Sequence, residues 1–120
     1  MTPRATIPVA IAVGAVVGVL ARWQFFDNFT DLDEARTVIV NAAGCLLMGL
    51  FVGRGWREEL RQAATVGFCG GLTTFSTFAL DAAAYFDAGE WADGAIYVSV
   101  TALASASAYA FGRRVLLDPL

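Results

Sequence analysis

Four long apolar stretches, separated by short charged segments, are the feature that most limits what this chain can fold into. Hydrophobic residues make up 58% of the 120 residues, and charged residues only 16%. About 20 apolar residues cross a hydrocarbon core roughly 30 Å thick, so a chain of this length holds a few crossings and little else. The pattern excludes an ordinary soluble enzyme, a disordered chain and a disulfide-rich secreted module.

The same pattern predicts one all-α integral membrane domain over residues 1–120, a multi-pass protein of the cell membrane. Backbone within lipid must satisfy its own hydrogen bonds, so we expect the crossings to be helices. The first stretch is too long for the core of a signal peptide, and we expect it to be retained. The predicted spans cover residues 7–26, 37–53, 62–86 and 94–111.

Small residues recur at helical spacing in these spans. Gly14 and Gly18 are four residues apart in the first span, and Gly49 and Gly53 are four apart in the second. Small residues let helix backbones approach closely in lipid, where van der Waals packing replaces the hydrophobic effect. We therefore expect a tight bundle, and an oligomer, because four short helices enclose little interior for a polar pathway.

The centre of the third span carries the densest polar cluster of the chain. Gly70 and Gly71 are followed by four hydroxyl residues, which are Thr73, Thr74, Ser76 and Thr77. This composition predicts a helix broken near its centre, which is tolerated in a membrane where the freed backbone lines a cavity or binds an ion. Freed carbonyls are suited to a cation, and the hydroxyls of Thr74, Ser76 and Thr77 are suited to an anion. The alternative is a continuous, glycine-softened helix whose hydroxyls bond to their own backbone.

Two other spans place polar side chains at membrane depth. Asn41 lies in the second span, where an amide either joins helices or lines a pathway, and the spacing leaves both open. In the fourth span, Tyr97, Thr101 and Ser105 recur every four residues and form a hydroxyl stripe along one face. Polar groups at this depth are costly, so all four are candidate functional residues.

Aromatic and charged residues extend this set. Phe75 and Phe78 share a face of the third span, and the positive edge of an aromatic ring can face an anion, although most phenylalanines in membrane helices face lipid or the core. Arg22 ends the first span and Asp81 lies one turn beyond Phe78, so both are candidates for the vestibule of an anion pathway.

Composition excludes several other functions. The chain has no His, and Cys45 and Cys69 are isolated, so a zinc-type site is not expected. The net charge of -3 gives no basic patch for a nucleic acid. The first span contains no acidic residue, which argues against a proton-coupled exporter of the small multidrug type, because those four-helix proteins depend on a carboxylate in their first helix.

Three segments together resemble the CrcB/Fluc family of fluoride channels, and the likeness covers nearly the whole chain. The third-span motif is the most specific of them. The segments are Gly14-x-x-x-Gly18 with Arg22, Val40-Asn41-x-x-Gly44 with Gly49, and the run from Gly67 to Phe78.

The resemblance implies an antiparallel dimer of four-helix subunits, with two fluoride pores along the dimer interface. It matches Phe75 and Phe78 to rings whose edges line the fluoride path, and Asn41 to the pore asparagine. It also implies a structural sodium ion on the dimer axis, bound by the backbone carbonyls of Gly70 and Thr73. The polar track on the fourth helix corresponds to Tyr97, Thr101 and Ser105. One departure is Asp81, where the family usually has Glu.

From the residues and the resemblance we expect a passive fluoride channel that lets fluoride leave the cytoplasm, and not an enzyme. A narrow pore lined by hydroxyl, amide and ring-edge donors replaces the water of a strongly hydrated anion. Two alternatives stay open: a proton-coupled exporter of the small multidrug type, and a non-transporting subunit that binds a partner in the membrane.

Loop charges predict one orientation. The side that holds both termini carries six arginines, against two on the other side. The positive-inside rule places the arginine-rich side in the cytoplasm. A homodimer that inserts both ways needs a nearly balanced count, so an antiparallel dimer of this chain would take an oppositely biased paralogue as its second subunit.

Overall fold

The computed structural model describes residues 3–117, and every regular element among them is helical. Asp118 and the side chain of Arg4, which enter the loop-charge count, lie outside this description. The helices are α1 (Pro3–Asn28), α2 (Ala35–Val52), α3 (Glu58–Gln62), α4 (Gly70–Leu72), α5 (Phe75–Asp87) and α6 (Trp91–Leu117). A short 3-10 turn (Thr30–Leu32) precedes α2, and a π-helical segment (Ala63–Cys69) joins α3 to α4.

Within residues 3–117, four helical segments are long and apolar enough to cross a membrane, as the sequence predicts. They extend beyond the predicted spans at most ends, because polar residues at the interface continue the helices. Their outer faces carry large apolar side chains such as Val13, Leu20 and Leu103, which are more than half exposed and suited to lipid. The segments are Ala5–Asn28, Ala35–Val52, Glu58–Asp87 and Trp91–Val115. The protein is therefore a multi-pass membrane protein.

The third span breaks where the glycine and hydroxyl cluster predicts. Helix α4 ends at Leu72, and Thr73 (φ -81°, ψ 160°) and Thr74 (φ -144°, ψ 111°) are extended before α5 begins at Phe75. The alternative of a continuous helix is therefore wrong at these two residues. The π-helical turns of Ala63–Cys69, which are wider than those of an α-helix, were not predicted from the sequence.

Glycines join α1 to the first half of the third span, which we define as residues 58–72. A Cβ at Gly67 would lie 2.6 Å from the Ile11 carbonyl oxygen, and a Cβ at Gly71 would lie against the Ala15 carbonyl oxygen. Gly14 and Gly18 face the same segment from the other side. The Gly14-x-x-x-Gly18 row thus packs backbone against backbone within one chain.

The other two long helices pack on each other in the same way. A Cβ on Gly49 of α2 would lie 3.0 Å from the Arg113 nitrogen of α6, and a Cβ on Gly112 would lie 3.0 Å from the Leu50 nitrogen. At the opposite end of the molecule, the turn before α2 and the connection from α5 to α6 bring carboxylates together. We call this region the acidic end; its carboxylates are Asp33, Glu34, Glu90 and Asp93.

Candidate ion pathway

A cavity of about 280 Å³ lies between α2, the helix break, α5 and α6. We call it the inner cavity. It combines polar groups of three segments with the rings of α5, although these residues are far apart in the sequence. Its lining residues are Asn41, Cys45, Thr73, Thr74, Phe75, Phe78, Thr101, Ala102 and Ser105.

Asn41 holds the break in place from α2. Its Nδ2 donates to the Thr74 carbonyl at 3.1 Å, and its Oδ1 accepts from the Thr74 backbone N–H at 2.7 Å. An extended residue within a helical span leaves both backbone groups without helical partners, and a buried unpaired group costs about 1–3 kcal/mol. Asn41 satisfies both groups with one side chain. The sequence leaves open whether Asn41 joins helices or lines a pathway. In the structure it joins α2 to the break and also lines the inner cavity.

The hydroxyl groups around the break differ in how far they are already bonded. Thr73 Oγ1 donates to the Cys69 carbonyl at 2.9 Å. For this one hydroxyl the structure shows the hydrogen bond to its own helix backbone that the sequence leaves open. Thr74 Oγ1 caps α5 by accepting from the Thr77 N–H at 3.1 Å, donates to Thr77 Oγ1 at 3.1 Å, and lies 3.3 Å from Ser76 Oγ. Among the described residues, Thr101 Oγ1 is the buried side-chain polar atom without a partner.

The aromatic residues form a continuous row from the membrane face into the bundle. Phe75 is 79% exposed, and its ring centroid lies 5.8 Å from that of Phe78 at a tilted angle of 49°. Phe78 in turn stacks on Tyr97, with centroids 5.5 Å apart. Tyr97 therefore lies behind Phe78 and is not among the residues that line the inner cavity.

The carboxylate of Asp81 joins three helices at the far side of this row. Its Oδ2 accepts from the Tyr97 hydroxyl at 2.9 Å and from Thr37 Oγ1 at 3.2 Å. Both donors are at least nine-tenths buried, since Thr37 is 1% and Tyr97 is 7% exposed. Asp81 thus fixes the ring that supports Phe78.

A second cavity, of about 190 Å³, opens at the acidic end, and we call it the outer cavity. Asp81 lines it, and its role in a vestibule stays a prediction. A hydrogen bond of 3.1 Å joins the hydroxyl of Thr74, which lines the inner cavity, to that of Thr77, which lines the outer one. The lining residues of the outer cavity are Asp33, Glu34, Arg36, Thr37, Thr77 and Asp81.

Arg22 contacts the break and lines neither cavity. Its Nη1 donates to the Thr73 carbonyl at 3.1 Å. Because Asn41 binds the Thr74 N–H, the Gly70 carbonyl lacks the donor that an intact helix would supply four residues later. A Cβ on Gly70 would meet nothing within 4 Å, so this part of α4 faces open space. Among the described residues, no cluster of three or more His, Cys, Asp or Glu side chains could hold a metal ion.

Residues 9–113 match the family described as "CrcB-like protein, Camphor Resistance (CrcB)". This match covers most of the chain, including every segment that surrounds the two cavities. The chain belongs to the CrcB family.

Curated relatives of this CrcB protein carry a specific name. A protein of Parasynechococcus marenigrum (strain WH8102) named "Fluoride-specific ion channel FluC 2" is 36% identical over 88% of this chain and 80% of its own length. "Fluoride-specific ion channel FluC" of Nitrobacter winogradskyi is 35% identical over 92% of this chain and 95% of its own. "Fluoride-specific ion channel FluC 2" of Rhodococcus jostii (strain RHA1) is 32% identical over 88% and 94%.

Part of the third-span motif meets Asn41 and two residues of the polar track at one place in the fold. Asn41, Thr74, Phe75, Phe78, Thr101 and Ser105 line the inner cavity together. Sequence reasoning missed Arg36, Thr37 and Cys45 as lining residues. Thr37 and Cys45 each lie one helical turn from Asn41, and this spacing was the signal that could have found them. Arg36 had no such signal, because its place depends on a contact with α1.

Proposed function

We propose that this protein is a fluoride channel and not an enzyme. The relatives named above are fluoride-specific ion channels, and the proposal for this chain depends on one structural observation. Thr101, whose buried hydroxyl has no partner among the described residues, lines the inner cavity together with Phe75 and Phe78. A hydroxyl without a partner can donate to an anion without first breaking a protein hydrogen bond.

The chemistry of the inner cavity suits a small anion. Fluoride is strongly hydrated, so donors must replace its water at close range. Thr101 and Ser105 supply hydroxyl donors, and Phe75 and Phe78 supply ring edges with positive partial charge. None of the described residues that line the inner cavity is an arginine, so none of them places a fixed positive charge there that would trap the ion. Conduction requires binding that is favourable enough for the ion to bind and weak enough for it to leave.

The hydroxyls of the break extend this path towards the acidic end. Thr77 Oγ1 accepts from Thr74 Oγ1, and the hydrogen of Thr77 then stays available for an ion in the outer cavity. Ser76, beside Thr74, is exposed and adds a further hydroxyl at the surface of α5. The pathway we propose thus runs from the outer cavity past Thr77 and Thr74 to the ring pair and Thr101.

Export follows from the acid–base chemistry of fluoride. Hydrogen fluoride crosses the membrane as a neutral molecule and ionises in the more alkaline cytoplasm. A passive channel then lets the anion leave down its gradient, which relieves fluoride toxicity without an energy source.

A second subunit of the same family, antiparallel to the first, completes this pathway. Phe75 is 79% exposed although it lines the inner cavity, so a partner surface is needed to close the pore on that side. The open space beside Gly70 is where a partner can approach α4. The arginine bias favours one orientation with both termini in the cytoplasm, and hence a paralogous second subunit. Equal signals on both sides of the membrane from a C-terminal reporter fusion would instead indicate dual insertion and a homodimer.

A structural sodium ion at the dimer interface fits the groups that the break exposes. The Gly70 carbonyl lacks the helical donor that Thr74 would supply, open space lies beside the Gly70 Cα, and two subunits together would offer several such oxygens. Carbonyl oxygens suit a hard, redox-inert cation. The Thr73 carbonyl already accepts from Arg22, so in this chain it would share its second lone pair with the ion.

Ion efflux from liposomes that contain the purified protein tests the function. We expect fast fluoride release and no comparable chloride release, with no dependence on an imposed proton gradient. Chloride release as fast as fluoride release would contradict the proposal. Fluoride release that follows the proton gradient would indicate a coupled exporter, and release of neither ion would indicate a non-transporting subunit.

A further inference from the structure

The outer cavity has an electrostatic problem for an anion pathway. Three carboxylates line it, those of Asp33, Glu34 and Asp81, and their field opposes the approach of fluoride. The only basic side chain among its lining residues is Arg36. Whether an anion reaches the inner cavity from this end therefore depends on where that guanidinium lies.

Two contacts with α1 fix the position of Arg36. Its Nη1 donates to the Phe26 carbonyl at 2.9 Å, and its guanidinium lies over the Phe26 ring, 4.9 Å from the centroid. Phe26 is in the last turn of α1, where carbonyls have no helical donor, so the bond also satisfies this helix end. Across the described part of the chain, no carboxylate lies within 4.0 Å of the guanidinium. The guanidinium is therefore fixed against the end of α1, and its charge is not neutralised by an ion pair among the described residues.

One hydrogen bond joins the walls of the two cavities. Thr77 lines the outer cavity, and its hydroxyl oxygen is 3.1 Å from that of Thr74, which lines the inner one. A charge beside the outer cavity therefore acts close to the proposed entrance of the inner cavity.

We propose that Arg36 recruits fluoride to the pathway by offsetting the field of the three carboxylates of the outer cavity. The inference rests on the proposed function. It assigns to a charge outside the pore an influence on the rate at which fluoride enters. Arg36 acts at a distance on the approaching ion, so its effect must depend on ionic strength. The Debye length is about 30 Å at 0.01 M salt and about 3 Å at 1 M, so the effect should be large in dilute buffer and small in concentrated salt.

Initial rates of fluoride efflux from liposomes at low fluoride test this role. Arg36→Gln should lower the rate about three- to tenfold in dilute buffer, the range expected for one unit charge several ångströms away at intermediate dielectric. Concentrated salt should shrink the loss to less than about twofold because it screens the charge. Arg36→Lys keeps the charge and should keep most of the rate, although it loses the planar contact with Phe26.

Asp33→Asn supplies the complementary test and does not depend on Arg36 variants folding. Asn has the same shape as Asp and should adopt the backbone conformation of Asp33 (φ 52°, ψ -131°) as Asp does. The single substitution should raise the rate in dilute buffer, and the pair Arg36→Gln with Asp33→Asn should restore it towards wild type. The matched control is Arg57→Gln. It removes the same charge from an exposed residue of the connector between the second and third spans, at the opposite end of the molecule, and should leave the rate unchanged.

The outcomes separate this role from a structural one. Equal losses for Gln and Lys at both ionic strengths, with no effect of Asp33→Asn, would show that Arg36 only caps α1 and would overturn the proposal. An unchanged rate for Arg36→Gln in dilute buffer would also overturn it. If the wild-type protein conducts no fluoride, the proposed function itself is wrong. If the wild type conducts fluoride but the rate does not depend on the charges of Arg36 and Asp33, only the role of Arg36 is wrong.

Discussion

The two halves of the third span differ in what they contact: the first packs closely on a neighbouring helix, and the second lines a cavity. The first half, residues 58–72, packs its glycines against the backbone of α1 so closely that a Cβ on Gly67 or Gly71 has no room. The second half, α5, carries Phe75 and Phe78, which line the inner cavity together with hydroxyls of the break and of α6. Close packing on one side of the break holds the span in place, and this lets the other side keep open space and a polar group without a partner.

The break between the halves is itself held from two directions. Arg22 of α1 donates to the Thr73 carbonyl, and Asn41 of α2 binds both backbone groups of Thr74. The freed backbone is therefore bound by side chains and not left to lipid, as the cost of unsatisfied groups requires. Variants on either side of the break should consequently fail in different ways.

The largest effect is expected on the cavity side, at the ring pair. Phe75→Ile and Phe78→Ile each replace a ring with an aliphatic group that lacks a positive edge, so fluoride efflux should fall to the background of protein-free liposomes. Folding and assembly, followed by size-exclusion chromatography in detergent, should stay normal. Normal efflux in both variants would remove the ring-edge argument.

Asn41→Ala comes next, because it affects both halves at once. It leaves the Thr74 N–H and carbonyl without partners, at about 1–3 kcal/mol for each group. The unfolding midpoint in denaturant should fall clearly, and efflux should fall with it. Cys45→Ala is the matched control, because Cys45 lines the same cavity one turn away and has no hydrogen bond among the described residues. Similar midpoints for the two variants would show that the Asn41 bonds contribute nothing.

The adjacent glycines give a sharper comparison within the packed half. Gly71→Ala pushes a methyl group against the Ala15 carbonyl and should lower the free energy of unfolding by about 1–3 kcal/mol. Gly70→Ala meets nothing within 4 Å and should leave the isolated subunit stable, with a gain of up to about 1 kcal/mol from helix propensity. If Gly70→Ala weakens only the association of subunits, Gly70 lies at the subunit interface. Equal destabilisation by both substitutions would contradict the packing described above.

Thr101→Val should have the smallest effect on stability and still impair function. The hydroxyl has no partner in the described structure, so its replacement by a methyl group of similar shape should change the free energy of unfolding by less than about 1 kcal/mol. Fluoride efflux should nevertheless slow severalfold, because the pathway loses a donor. A large loss of stability would show that Thr101 has a structural partner, and unchanged efflux would remove it from the pathway.

The sequence by itself determined the class of protein and the place of its main irregularity. Four apolar stretches of sufficient length predict four crossings, because partition into lipid depends on the summed hydrophobicity of a segment and not on its neighbours. The glycine pair and the hydroxyls that follow predict the break, because they weaken a helix locally. The motif from Gly67 to Phe78 was specific enough to indicate the CrcB family, to which the chain belongs.

Only the tertiary structure decided how each polar group is used. Thr74 and Thr101 are both hydroxyl residues at membrane depth, yet the first both donates and accepts hydrogen bonds and the second has no partner in the described structure. Asn41 binds a residue 33 positions away, and Arg22 binds one 51 positions away. Such pairs depend on the rotation and register of helices against each other, which interhelical packing sets and which the composition of a single span does not contain.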